Sequence, residues 1–153
     1  MMKIILKNHI FFFLLAMPLM AACGGDDDEK SADEETSQAN LEYLCSKTLW
    51  AYAPDEGIKK GESYYNYSFY RIAGVDGCTI LSGGGSDELS GYYDLTYNPP
   101  TVTLKERNSI GYVNKGRSVN LVVYKLTKKG SNQSFLMING KKYIGGVGGG
   151  IYQ

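Results

Sequence analysis

The chain is poor in the groups that most enzymes use. Its single histidine is His9, and that residue falls in an N-terminal segment expected to be removed. The mature protein therefore lacks an imidazole for general-base catalysis, for Ser/His/Asp or Cys/His schemes, or for the usual zinc sites. Glycoside hydrolysis needs two carboxylates across one bond, whereas Asp94 and Glu106 are ordinary strand-region acids with no motif drawing them together. The glycine run at 83–85 and the glycine-rich tail at 145–150 lack the Lys-Ser/Thr and the helix that follow a phosphate cradle. No catalytic residue, metal, cofactor or nucleic-acid partner is expected. Long apolar runs are missing too: the run at 10–22 has 13 residues, against about 20 for a helix that spans the hydrocarbon core. No internal repeat is detectable, and helical periodicity is nearly absent beyond that run.

What is present begins with the N-terminus. Lys3 and Lys7 precede the apolar run, and Ala21 and Ala22 stand directly before Cys23, the layout of a cleavable export signal. The residues Leu19-Met20-Ala21-Ala22-Cys23 resemble the lipobox of bacterial lipoproteins. The resemblance implies a signal peptide at 1–22, cleavage before Cys23, diacylglycerol on its sulfur and usually a third acyl chain on the freed amine. The membrane would then be reached through those chains, and the expected location is the outer membrane of a Gram-negative bacterium. Two or three chains hold a protein almost permanently, at about 0.8 kcal/mol per buried methylene.

Residues 24–40 read GGDDDEKSADEETSQAN, with seven acids against Lys30 and no large apolar residue. Such a stretch buries too little surface to offset its ordering entropy, so 23–40 is expected to be a lipidated cysteine and a disordered acidic tether. It reads either as a solvated spacer or, by resemblance, as the export signal of surface-exposed lipoproteins. The remainder, 41–153, is long enough for one globular domain.

Strand signals dominate that domain. Segments 48–52, 63–73, 78–82, 91–97, 101–106, 118–126, 135–138 and 141–144 are rich in aromatic and β-branched residues and separated by turns. Tyr65, Tyr67 and Phe69 alternate onto one face, as do Val119, Leu121 and Val123. Asn139-Gly140 predicts a type I′ hairpin; Gly74-Val75-Asp76-Gly77 predicts a turn, and Pro99-Pro100 a strand end. The expected class is all-β, a small antiparallel up-and-down barrel of about eight strands. Residues 101–153 hold nine bases and one acid, Glu106. Lys105, Arg107, Lys125, Lys128, Lys129, Lys141 and Lys142 would either gather into a basic region or stand as solvated strand faces.

The order of Leu44-Cys45-Ser46-Lys47-Thr48-Leu49-Trp50, a tyrosine-rich strand, Tyr93-Asp94-Leu95-Thr96-Tyr97, Thr101-Val102-Thr103-Leu104 and the 135–143 hairpin is similar to small lipocalin-like lipoprotein domains. That likeness implies that Trp50 packs across the barrel floor. Thirteen tyrosines stand against two phenylalanines in the mature chain, Phe69 and Phe135. Tyrosine suits either a half-wet cavity or a strand exposed on one side; Tyr65, Tyr67, Tyr93 and Tyr97 are the candidate cavity lining. Two functions stay open: a non-catalytic module binding a small apolar or amphipathic ligand in the barrel, or a filled barrel that presents its surface to a protein or glycan. Cys45 and Cys78, outside the cytoplasm, form either a disulfide or two buried thiols.

Overall fold

The structure, a computed structural model, describes residues 34–85, 87–108 and 115–146. The expectations for the signal peptide, for Cys23 and for residues 24–33 lie outside these residues. In chain order the elements are β1 (Glu34–Gln38), α1 (Leu41–Cys45), β2 (Leu49–Tyr52), β3 (Tyr64–Ile72), β4 (Val75–Gly83), β5 (Gly91–Asn98), β6 (Thr101–Glu106), β7 (Ser118–Lys128), β8 (Phe135–Ile138) and β9 (Lys141–Gly146). From β2 to β9 each strand pairs antiparallel with the next, and β9 returns to β2 with Tyr52 opposite Tyr143. Eight strands thus close an up-and-down barrel, the lipocalin-like class expected.

Period-two alternation builds the interior. Tyr67 and Phe69 of β3, Cys78 and Ile80 of β4, Tyr93 and Leu95 of β5, Val102 and Leu104 of β6, and Leu121 and Val123 of β7 are buried, whereas Leu81 after Ile80, Tyr92 before Tyr93 and Val122 between Leu121 and Val123 are exposed. Each fully buried large side chain contributes roughly 1.5–3 kcal/mol of hydrophobic stabilisation.

One barrel end, the floor, is closed by an element that carried no periodic signal. Asn40 takes an extended backbone, and its side chain accepts a 2.7 Å hydrogen bond from the Tyr43 N–H, capping the five-residue α1. Leu44 of α1 is fully buried, and its carbonyl accepts a 2.8 Å bond from the indole N–H of Trp50, itself fully buried. Tyr43 packs 5.4 Å from that ring. Opposite Trp50 stands Gly145, where a Cβ would come within 2.9 Å of the indole. A small residue on β9 is thus what admits the large one on β2.

The stretch expected to be a tether is ordered from Glu34. The reason lies in β7, whose pairing with β6 stops at Thr101 opposite Val122 because Pro99 and Pro100 stand directly before Thr101, and neither can donate to a ladder. That leaves the edge of β7 open beyond Val123. β1 fills it antiparallel, from Glu34 opposite Lys128 to Gln38 opposite Tyr124, and Ala39 then enters the core.

Turn chemistry sets the remaining corners. Asn139 and Gly140, at φ 49° and 75°, form the expected two-residue turn at the other end of the barrel, the mouth. The β3–β4 turn is Ala73-Gly74, at φ 50° and 78°, with Ile72 facing Val75. It falls one residue before the predicted Gly74-Val75-Asp76-Gly77, because Val75 to Gly77 already continue the ladder with β3. Cys45, partly exposed at the end of α1, and Cys78, inside the barrel, are both free thiols. Cys78 is sealed within the core, and burial pushes its thiol well above the ordinary thiol range.

Candidate functional site

The four tyrosines singled out as a cavity lining do face inward, yet they do not form one surface. Tyr67 and Tyr93 are packed in the core, and Tyr65 and Tyr97 are half-buried, Tyr65 toward the mouth and Tyr97 toward the floor. Tyr67 lies 6.0 Å from Phe69 and 5.4 Å from Tyr143 by ring centroid, and Tyr143 lies 5.7 Å from Tyr52. Burial raises the Tyr67 hydroxyl to about 12 and raises Tyr143 as well, so these phenols act as apolar bulk with a tied-down polar tip. The Tyr93 hydroxyl donates to the Leu89 carbonyl at 2.7 Å. The Tyr97 hydroxyl is buried with no hydrogen-bond partner.

The two acids weighed as a catalytic pair point opposite ways. Asp94 faces outward and accepts a 2.8 Å bond from Arg107 Nε. Glu106 faces inward at the mouth, opposite Tyr93 on β5. It accepts bonds from Arg117 Nη2 at 2.6 Å and Nε at 3.2 Å, and from the backbone N–H groups of Lys115 at 2.8 Å and Arg117 at 3.2 Å. The Arg117 side chain is 17% exposed and that of Glu106 6%. These donors, the Arg117 guanidinium first, hold the Glu106 carboxyl down at about 2. The same guanidinium donates to the Ser90 carbonyl at 3.1 Å and sits 6.0 Å from the Tyr93 ring centroid. Arg117 thereby ties the β4–β5 segment to β6 and β7 across the mouth. Sequence reasoning missed this assembly; the only signal was Glu106 standing alone among basic residues.

An open surface lies where the β2–β3 segment meets the β8–β9 hairpin. A groove of about 400 Å³ is lined by Tyr52, Pro54 and Asp55, by Gly140, Lys141 and Lys142, and on the outer wall by Thr36, Leu126 and Met137. A neighbouring hollow of about 300 Å³ shares Tyr52, Pro54 and Asp55 and adds Glu56, Gly57, Lys59 and Glu62. Tyr52 joins the two: its hydroxyl donates to Glu62 at 2.9 Å, and the Lys141 ammonium sits 5.4 Å from its ring centroid. The backbone N–H of Lys59 and the Tyr52 hydroxyl hold the Glu62 carboxyl below its ordinary range. Lys142 pairs with Asp55 and lies 5.5 Å from the Phe135 ring centroid. The groove therefore offers paired charges of both signs beside apolar side chains.

The basic residues of the C-terminal half do not gather here. Lys141 and Lys142 border the groove, Arg107 is held by Asp94, and Lys125 lies under the floor, 4.7 Å from the Tyr43 ring centroid. Among the described residues, no three His, Cys, Asp or Glu side chains stand close enough to hold a metal ion, and no helix is long and apolar enough to cross a membrane. Fold and site together define a closed up-and-down barrel with a helical floor and a charged groove at its mouth. No protein family matches the chain, and no curated protein or solved structure matches it either.

Proposed function

We propose that this protein is a lipid-anchored, non-catalytic interaction module whose filled barrel presents its mouth to a protein or glycan partner. The observation that carries the reading is the packing of the tyrosines. Tyr67 and Tyr93, two of the four candidate lining residues, are 5% and 0% exposed, and Tyr143 beside Tyr67 is 3% exposed; they are spent on one another and on Phe69, Tyr52 and the Leu89 carbonyl. A carrier of small apolar molecules keeps such side chains around an open volume of a few hundred cubic ångströms. The lipobox Leu19-Met20-Ala21-Ala22-Cys23 supports the anchor.

Two measurements test the two halves of this reading. Native mass spectrometry of the lipid-free domain, purified from its own host, should give the mass of the polypeptide alone, and a retained small molecule would overturn the filled barrel in favour of a ligand carrier. Cys23→Ala should yield an uncleaved precursor without acyl increments. A variant with the same acyl groups and cleavage site as the parent would remove the anchor.

A further inference from the structure

We infer that the floor end of the barrel rests on the bilayer, with the β3–β4 hairpin tip dipping into its interface, so that the mouth and its groove face away. This rests on the lipid anchor proposed above. Two independent features point the same way.

The first is where the chain enters the fold. β1 begins at Glu34, opposite Lys128, the last residue of β7, and runs from there toward the mouth. The N-terminal side of the chain therefore arrives at the floor. Cys23 precedes Glu34 by eleven residues, a reach of at most about 38 Å even when taut. β7, with 11 residues at ~3.3 Å each and a strand tilt of ~40°, spans a barrel height of about 28 Å. Seating the mouth on the bilayer would use most of that reach simply to run back along the barrel wall. Seating the floor there uses almost none.

The second is an exposed apolar tip at the same end. Ile72 and Val75 face each other across the Ala73-Gly74 turn and are 65% and 48% exposed. Four consecutive residues, Ile72-Ala73-Gly74-Val75, thus project uncharged at the end of a hairpin, where apolar surface has no partner within the fold. Among the described residues of the β2–β3 segment at the mouth, Ile58 is 46% exposed and stands between Gly57 and Lys59, without an apolar neighbour in sequence. A paired apolar tip on the side of the acyl chains fits the lipid interface. The groove around Tyr52 would then be free to meet a partner from solution.

The test uses the full acylated protein in phosphatidylethanolamine/phosphatidylglycerol vesicles carrying an energy acceptor on their head groups. A genetically encoded fluorophore is placed at Asn132 in the β7–β8 segment at the floor, or at Lys60 near the mouth. Both positions are exposed. Energy transfer should be severalfold stronger from position 132 than from position 60. In the variant Ile72→Ser/Val75→Ser, whose changes lie on solvent-exposed side chains and whose fold is checked by circular dichroism, transfer from position 132 should fall toward that from position 60. Equal or inverted transfer in the parent overturns the orientation, and an unchanged signal in the folded double variant overturns the tip contact. Flotation with the vesicles is read separately. Protein that carries no acyl chains and does not float removes the anchor itself, and the inference with it.

Discussion

The indole of Trp50 is the plug that joins the floor helix to the barrel, and replacing it with phenylalanine isolates that role. Trp50→Phe keeps an aromatic ring but deletes the N–H that donates to the Leu44 carbonyl at 2.8 Å inside a fully buried site. A buried carbonyl left without its donor costs about 1–3 kcal/mol. The missing ring atoms leave space beside Tyr43 and Gly145 that costs about 1 kcal/mol more. The expected loss is therefore about 2–4 kcal/mol, or roughly 8–20 °C in Tm for a domain of this size. Because Trp50 is the only tryptophan, unfolding is followed by far-UV circular dichroism in both proteins rather than by fluorescence. A Tm within about 3 °C of the parent, less than 1 kcal/mol on the same scale, would refute the account of Trp50 as a hydrogen-bonded plug.

Two further outcomes follow from the site and the thiols. Glu106 has its carboxyl depressed from an ordinary 4.5 to about 2, so its contribution is complete above the ordinary value and disappears as pH falls through that window. The stability advantage of the parent over Glu106→Gln should accordingly be full at pH 7 and shrink between pH 4.5 and 2 in denaturant titrations. An advantage independent of pH across that window would refute the Arg117 pairing. With Cys45 and Cys78 both free, alkylation of denatured, unreduced mature protein should label two thiols, and in the native protein Cys45 should react before the fully buried Cys78. Finding no reactive thiol would establish a bridge instead.

Strands were legible because alternation of apolar and polar residues is a local signal. Residues 63–73 and 118–126 showed it, and β3 and β7 lie there. Asn139-Gly140 was legible because its two residues tolerate positive φ, whereas the β3–β4 turn was misplaced because Ala73, at φ 50°, is an unlikely host for that backbone. β1 could not be seen in EETSQ, for its cause lies more than sixty residues away, in the prolines that precede β6. α1, at five residues, is too short for a helical period to register. As for the candidate site, alternation put Tyr65 and Tyr67 on one face, and that face lies inward. It could not say whether their neighbours would fill the space between them. Glu106 and Arg117 meet only because β6 and β7 are adjacent, which no local pattern encodes.

The shared edge of β7 has a practical consequence for handling the protein. A truncated form beginning at Leu41, where composition alone would cut, keeps every barrel strand yet strips β1 from Tyr124 to Lys128. Those five residues would then present a row of unsatisfied backbone donors and acceptors to solvent, on a strand already held rigid by β8 on its other side. Such a ledge is a template for a foreign strand. A preparation cut there is prone to stick to itself through that ledge, while one beginning before Glu34 carries its own cover.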